Sequence, residues 1–214
     1  MSTVTGSLAK PGLERWFRKL GFQEADKQSK EARELGTEVA EMFEAYRKVR
    51  AKPRKKFLKT VLNEWLQWGE GWTGSILVPE AHLVNTVDKY HGSPDLVYKD
   101  GESWSIGDDK CKRRFADYGL LMNEHAYAMC NMIHDTETDE LKPVPWTVPI
   151  QKITFWTYSP ETGRLFAHEH PFDDAVYHDF LICRAMWDTN KKADKYFGDN
   201  AILLPEEVKV NEAQ

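Results

Sequence analysis

The segment Ser103-Trp104-Ser105-Ile106-Gly107 runs directly into Asp108-Asp109-Lys110. Its composition predicts a strand over 103–108. Three adjacent charges at the end of a buried strand are costly unless water reaches them or chemistry uses them. Alternate side chains of a strand share a face, so Asp108 and Lys110 point the same way. Upstream, Gly92-Ser93-Pro94 makes a turn before a second β segment, 95–98, and Lys99-Asp100-Gly101 turns the chain towards 103–108. A turn-linked neighbour of this kind brings Asp95 beside Asp108. Two carboxylates at that distance suit Mg²⁺, which takes one or two carboxylates and fills its remaining positions with water and substrate phosphate. Lys110 beside them can orient an attacking water and offset charge on a phosphoryl transition state. That is the equipment of metal-assisted phosphodiester hydrolysis. The Asp-x-Lys spacing alone carries little, since Glu140/Lys142 and Glu207/Lys209 repeat the pattern. Its weight comes from the preceding turn and from the charges that close the strand.

The rest of the chain frames this segment. Residues 13–20 read as a short helix stopped by Gly21, and about 23–50 as a longer one with Leu35, Val39, Met42, Phe43 and Tyr46 in one apolar stripe. A third helix follows Pro53, with Phe57, Leu58, Val61, Leu62, Trp65 and Leu66 inward. Segments 75–78 and 82–87 are β-rich, about 115–133 returns to helix, and 136–149 reads as an acidic, Pro-containing loop. A hairpin is predicted over 150–158 and 164–170 around Ser159-Pro160-Glu161-Thr162-Gly163, then a helix from Asp173 to about Asn190. No repeats occur. The expectation is one domain spanning 1–214, with N-terminal helices 13–68, a sheet and helix at 75–133, a C-terminal hairpin and helix at 150–190, and a tail at 199–214.

With 214 residues, 41% hydrophobic and eight Trp, the chain can bury a substantial core. Three scattered cysteines (Cys111, Cys130, Cys183) do not make a disulfide framework. No apolar run approaches bilayer length and no signal-peptide pattern opens the sequence, so the expectation is a soluble, reduced, cytoplasmic protein with no membrane partner. The net charge is −5, but residues 1–60 hold 15 Lys and Arg against 8 Asp and Glu, and the remainder 14 against 26. Arg47, Lys48, Arg50, Lys52, Arg54, Lys55, Lys56 and Lys59 form the densest basic stretch, read either as a phosphate-backbone contact or as a solvated linker. Lys112, Arg113 and Arg114 directly follow Lys110 and are better placed to hold a phosphate. Trp68 and Trp72 are candidates for base stacking. His168 and His170 share a strand face without a third ligand, and no Gly-rich phosphate loop, HExxH or nucleophile elbow is present.

Asp95 with Asp108-x-Lys110 resembles the PD-(D/E)xK nuclease superfamily, and more closely its RecB-like and phage exonuclease branch. Leu13-Glu14-Arg15-Trp16, Ala32-Arg33-Glu34-Leu35-Gly36-Thr37 and Glu44-Ala45-Tyr46 resemble the N-terminal helices of that branch, an arrangement similar to that of the mitochondrial genome maintenance exonucleases. Pro79-Glu80 resembles the Pro-Glu pair before the metal-binding Asp, and Asn123 and Tyr127 fall where a Gln-x-x-x-Tyr motif is expected. The resemblance implies a restriction-endonuclease-like α/β core, with a mixed central sheet flanked by helices and an added C-terminal hairpin and helix. It further implies Mg²⁺ or Mn²⁺ held by Asp95, Asp108 and the Asp109 carbonyl, Lys110 positioning the water, Glu80 orienting a metal water, and DNA as partner. The family's helix-borne His is replaced here by Ala40; Glu41 and Glu44 share that helical face and are read either as substitutes for it or as the solvated face opposite the apolar stripe. The implied activity is metal-dependent hydrolysis at DNA ends, of phage derivation and serving recombination, replication or DNA degradation. The alternatives are an inactive nucleic-acid-binding or assembly protein that keeps the fold, and an endonuclease. Whether the chain forms a homo-oligomer or works with a separate recombination or replication partner is left open.

Overall fold

A computed structural model of the chain describes residues 5, 18–68, 81–110, 117–147 and 149–198. After a helical turn at 18–20 come α1 (Phe22–Val49), α2 (Lys56–Trp68), β1 (His82–Asn85), β2 (Tyr90–Gly92), β3 (Leu96–Asp100) and β4 (Ser103–Lys110). Then follow α3 (Tyr118–Ala128), β5 (Met132–Asp135), β6 (Glu140–Pro143), β7 (Lys152–Tyr158), β8 (Leu165–Pro171) and α4 (Asp174–Gly198). The expected segment 75–78 and the tail 199–214 lie outside the described residues, as does most of the expected helix at 13–20. Among the described residues no helix is long and apolar enough to cross a membrane.

Strands β3-β4-β7-β8 form a mixed sheet. β3–β4 and β7–β8 are antiparallel, while β4 and β7 run parallel. A two-residue loop, Gly101-Glu102, joins β3 to β4, with Gly101 at φ 61°, a conformation glycine adopts without strain. The parallel pair needs a long crossover, and the segment between β4 and β7, which includes α3, β5 and β6, supplies it. The C-terminal hairpin expected from sequence is present as β7 and β8, and through β7 it becomes part of the central sheet.

Strand alternation divides the core into two layers. Leu96, Tyr98, Trp156 and Tyr158 pack against Val39, Met42 and Phe43 of α1 and Leu58, Val61, Leu62 and Trp65 of α2. Val97 and Ile106 face the opposite way, towards Met122, Ala126 and Tyr127 of α3 and Val176, Tyr177 and Phe180 of α4. Trp68 sets its ring edge-on to Trp156 at 5.0 Å and to Tyr98 at 6.1 Å, so it serves the core rather than a stacking surface. Trp72 is outside the described residues.

Two sequence expectations are corrected. The helix read over about 115–133 stops at Ala128, and its last stretch belongs to β5. The acidic segment read as a loop is largely a β5–β6 hairpin, added to a second antiparallel sheet of order β2-β1-β5-β6. Asp135 makes this turn by accepting the Glu137 and Thr138 N–H groups, and it pairs with Lys142 at 2.6 Å. α3 touches β1 of this sheet, β4 of the central sheet and α4. It is therefore enclosed, and carries the buried polar run Asn123-Glu124-His125.

Candidate active site

The end of β4 outruns β3. Leu96 is the last β3 residue paired with β4, opposite Gly107, whereas β7 accompanies β4 as far as Lys110. Asp109 therefore has no strand partner on the β3 side, and its N–H donates to Asp95 Oδ2 at 2.9 Å. In a regular strand the N–H and C=O of one residue face the same neighbour, so the Asp109 carbonyl faces this edge too. Its carboxylate points to the other layer, where Oδ1 accepts from the Tyr158 hydroxyl at 2.9 Å.

Asp108 and Lys110 project on the α3 side. Lys110 Nζ lies 2.5 Å from Asp108 Oδ1 and 3.8 Å from Asp95 Oδ2. The Asp95 side chain is 41% exposed and that of Asp108 only 4%, so the cluster opens to solvent at Asp95 and is closed at Asp108. Burial pushes the Asp108 carboxyl well above the usual carboxylate range; the neighbouring Asp95 and Glu124 carboxylates act in the same direction, and only Lys110 opposes them. For Lys110, burial works to lower the ammonium's pKa. Asp108 and Asp95 outweigh it and hold the group above its ordinary value.

The sequence reading missed Glu124. It stands one turn of α3 before Tyr127, is 2% exposed, and lies in the electrostatic reach of Asp95 and Lys110. Burial first, then Asp95, raises its pKa well above the usual range. A signal was present: Leu120-Leu121-Met122 and Ala126-Tyr127-Ala128 flank the polar triplet with apolar residues on all sides of the helix. An acid in such a helix is buried rather than solvated.

Tyr127 also faces this cluster. Its ring edge lies where a Cβ on Gly92 would come within 2.7 Å of it, and burial followed by Glu124, Asp108 and Asp95 raises its hydroxyl pKa. Asn123 does not join it: its Oδ1 accepts from the Thr5 hydroxyl at 3.3 Å in a buried pair. Glu41 and Glu44 are exposed on α1, which packs on the opposite face of the sheet from Asp108 and Glu124; Ala40 is exposed there as well. Arg54 and Lys55 are exposed between α1 and α2, and Lys56 is exposed at the start of α2. Arg54 and Lys55 line a surface hollow with Glu38, Glu41 and Lys52, and Lys55 pairs with Glu38 at 2.6 Å. Glu80, Lys112, Arg113, Arg114 and Cys111 lie outside the described residues. His168 Nε2 sits 3.1 Å from the Thr157 hydroxyl and His170 meets Phe155 edge-on, which accounts for both imidazoles within the sheet.

The donor set suits a hard divalent ion: carboxylates and a main-chain carbonyl, with Asp108 Oδ2 and Glu124 Oε2 buried and lacking a hydrogen-bond partner. As placed, no three His, Cys, Asp or Glu side chains among the described residues converge on one point. The Lys110 ammonium lies against Asp108 instead.

No family model matches the chain, and no curated protein sequence matches it. Among solved structures it is similar to a crystal structure of LHK-Exo in complex with dAMP, at 14% identity over 65% of this chain and 69% of that one, with a TM-score of 0.42. It is also similar to a crystal structure of an alkaline exonuclease, LHK-Exo from Laribacter hongkongensis, at 15% identity over the same shares and a TM-score of 0.38. Likeness at that level does not assign a function. The α/β architecture rests on the strand order and layers described above.

Proposed function

We propose that the chain is a metal-dependent deoxyribonuclease acting at DNA ends, with its site at the end of β4. The observation that carries this reading is the Asp95–Asp109 N–H bond, which holds Asp95 beside Asp108 and Lys110. Asp95, Asp108 and the Asp109 carbonyl would hold Mg²⁺ or Mn²⁺; the bound ion lowers the pKa of water and polarises a phosphodiester. Lys110, tethered between the two acids, presents an ammonium to the phosphoryl oxygens and positions the attacking water. Exposure at Asp95 gives a substrate its way in, and burial at Asp108 keeps competing water out. Tyr127 closes the α3 side. DNA as substrate, cleavage at ends, phage derivation, and service in recombination, replication or degradation rest on the sequence resemblance; a single domain over 1–214 rests on chain length and the order of elements.

A second reading, an inactive binding or assembly protein, is favoured by one observation: the helix position where the family carries a His is Ala40, and no acid of α1 replaces it on the Asp108 side of the sheet. Incubating end-labelled linear and covalently closed DNA with Mg²⁺ or Mn²⁺, beside Lys110→Ala, separates the readings. Loss of nucleotides from linear DNA alone, abolished in the variant, supports the exonuclease. Cutting of closed circles identifies an endonuclease. Binding without cleavage under either metal identifies the inactive protein.

A further inference from the structure

The end of the sheet that carries Lys110 also carries a second pair of side chains, Phe166 and Arg164. Both belong to the start of β8, an edge strand of the central sheet. Leu165 packs with the α1 and α2 layer, so Phe166 points to the opposite face, that of Asp108 and Lys110. The register fixes how far away it is. Lys110 pairs with Thr157 across β4 and β7, and Thr157 pairs with Phe166 across β7 and β8. The three side chains form one row, with Phe166 two strand spacings, about 10 Å, from Lys110. Thr157 is buried between them, its hydroxyl 3.1 Å from His168 Nε2. The Phe166 ring is 41% exposed, and the Arg164 guanidinium stands 5.9 Å from its centroid. Glu161, the acid of the same turn, accepts from the Ser159 hydroxyl at 2.6 Å.

A single exposed Phe on a surface needs no explanation. This one has a guanidinium beside it and shares a row with Lys110. Along the same face β8 continues with His168 and His170, so the exposed ring is isolated among polar groups and too small a patch to seat a protein. A nucleotide is a flat π-face joined to an anion, which is the chemistry that an aromatic ring and a guanidinium recognise together. We propose that Phe166 and Arg164 form a nucleotide subsite: the ring stacks on a base of the strand held at Asp95, Asp108 and Lys110, and the guanidinium binds an adjoining phosphate. This rests on the reading of that cluster as the site of DNA cleavage and deepens it. A base inside a duplex offers no free face, so the subsite takes an unpaired nucleotide, from a single strand or a frayed end.

The test measures binding of a fluorescein-labelled oligothymidylate of about twelve nucleotides, beside an abasic strand of the same length, by fluorescence anisotropy. It is run in EDTA, and again with Mg²⁺ in the Lys110→Ala background, where no cleavage intervenes. Phe166→Ala should bind oligothymidylate about five- to hundredfold more weakly than the parent and the abasic strand equally well, because only a base can stack. Phe166→Trp should bind at least as tightly as the parent. Phe166→Leu, which keeps the bulk beside Thr157 without the aromatic face, should bind as weakly as the alanine variant. Arg164→Ala should weaken both strands and reduce the slope of log affinity against log salt by about 0.7, the value of one phosphate contact on a single strand. A merely structural Phe166 would lower the melting temperature when truncated and leave oligothymidylate affinity intact. Equal affinity of Phe166→Ala and its parent for oligothymidylate overturns the inference, as does an equal loss on the abasic strand, or a parent protein that binds neither. Where Phe166→Ala does not fold, the Trp and Leu variants decide, and equal binding by those two overturns it. Phe166-dependent binding by a protein that cuts no DNA with Mg²⁺ or Mn²⁺ sustains the subsite and sinks the nuclease reading. Cleavage abolished by Lys110→Ala, with binding indifferent to Phe166→Ala, does the reverse.

Discussion

Replacing Gly107 with Ala tests whether the sheet holds Asp108 where it does because the Trp156 ring packs directly against the preceding residue. A Cβ at position 107 would lie 2.0 Å from Trp156 Cζ3 and 2.1 Å from Cη2, against an ordinary contact of 3.4–4 Å. The indole must retreat by about 1.5 Å, and it has nowhere to go. Trp156 is fully buried, with Trp68 at 5.0 Å and Tyr98 at 5.8 Å from its ring. Overpacking a core usually costs about 1–3 kcal/mol, and an enclosed ring pressed by backbone-borne atoms belongs at the top of that range. We therefore expect Gly107→Ala to lose about 3 kcal/mol, a large share of the roughly 5–15 kcal/mol that holds such a domain together. Urea unfolding followed by tryptophan fluorescence measures it directly, with the midpoint moving and the slope unchanged. A loss below about 0.5 kcal/mol, within the range of ordinary surface substitutions, would show that Trp156 does not occupy the space over Gly107 and would refute this account of the sheet.

Other consequences follow from individual contacts. Asp117 caps α3 by accepting the Leu120 N–H at 3.2 Å, so Asp117→Ala should cost about 1 kcal/mol in the same unfolding assay. The Asp109 carboxylate faces Tyr158 and not the Asp108 cluster, so Asp109→Asn should keep DNA cleavage within a few-fold of wild type, whereas Asp108→Asn should lose it by about a hundredfold or more in the same time course. Burial, with the hydrogen bond to Asp88, pushes the Tyr177 phenol up to about 12. Raised above its unfolded value near 10, it contributes stability that is fully present below pH 10 and lost as pH rises towards 12. The stability difference between wild type and Tyr177→Phe, followed by chemical denaturation against pH, should decline across that window; a difference that does not change with pH contradicts the assignment.

Much of the site's skeleton is legible in the sequence, because strand alternation fixes it. Asp108 and Lys110 share a face whatever the sheet's order, and the Gly92-Ser93-Pro94 turn returns Asp95 to the same strand end. The amphipathic stripes of α1 and α2 were equally readable, since Val39, Met42, Phe43, Leu58, Val61, Leu62 and Trp65 are buried as their spacing requires. The second sheet was hidden for a local reason. β6 is exposed along its length and β5 only half-buried, so neither shows the apolar alternation of a strand; Asp135 and Lys142 hold their turn through polar contacts. Glu124 was missed because helical periodicity registers polar residues as a solvated face. It is the packing of α3 against both sheets and α4 that puts this acid inside. Glu41 and Glu44 show the converse: they share a helical face with Ala40, but which side of the sheet that helix covers is decided by packing and not by its own sequence.

The most direct measurement is a crystal structure of the protein grown with Mn²⁺, with the ion located by its anomalous scattering. The account predicts a Mn²⁺ ion ligated by carboxylate oxygens of both Asp95 and Asp108, with Lys110 withdrawn from Asp108 to make room. An ordered Lys110–Asp108 pair with no ion beside it at saturating Mn²⁺, or an ion bound elsewhere, would contradict it.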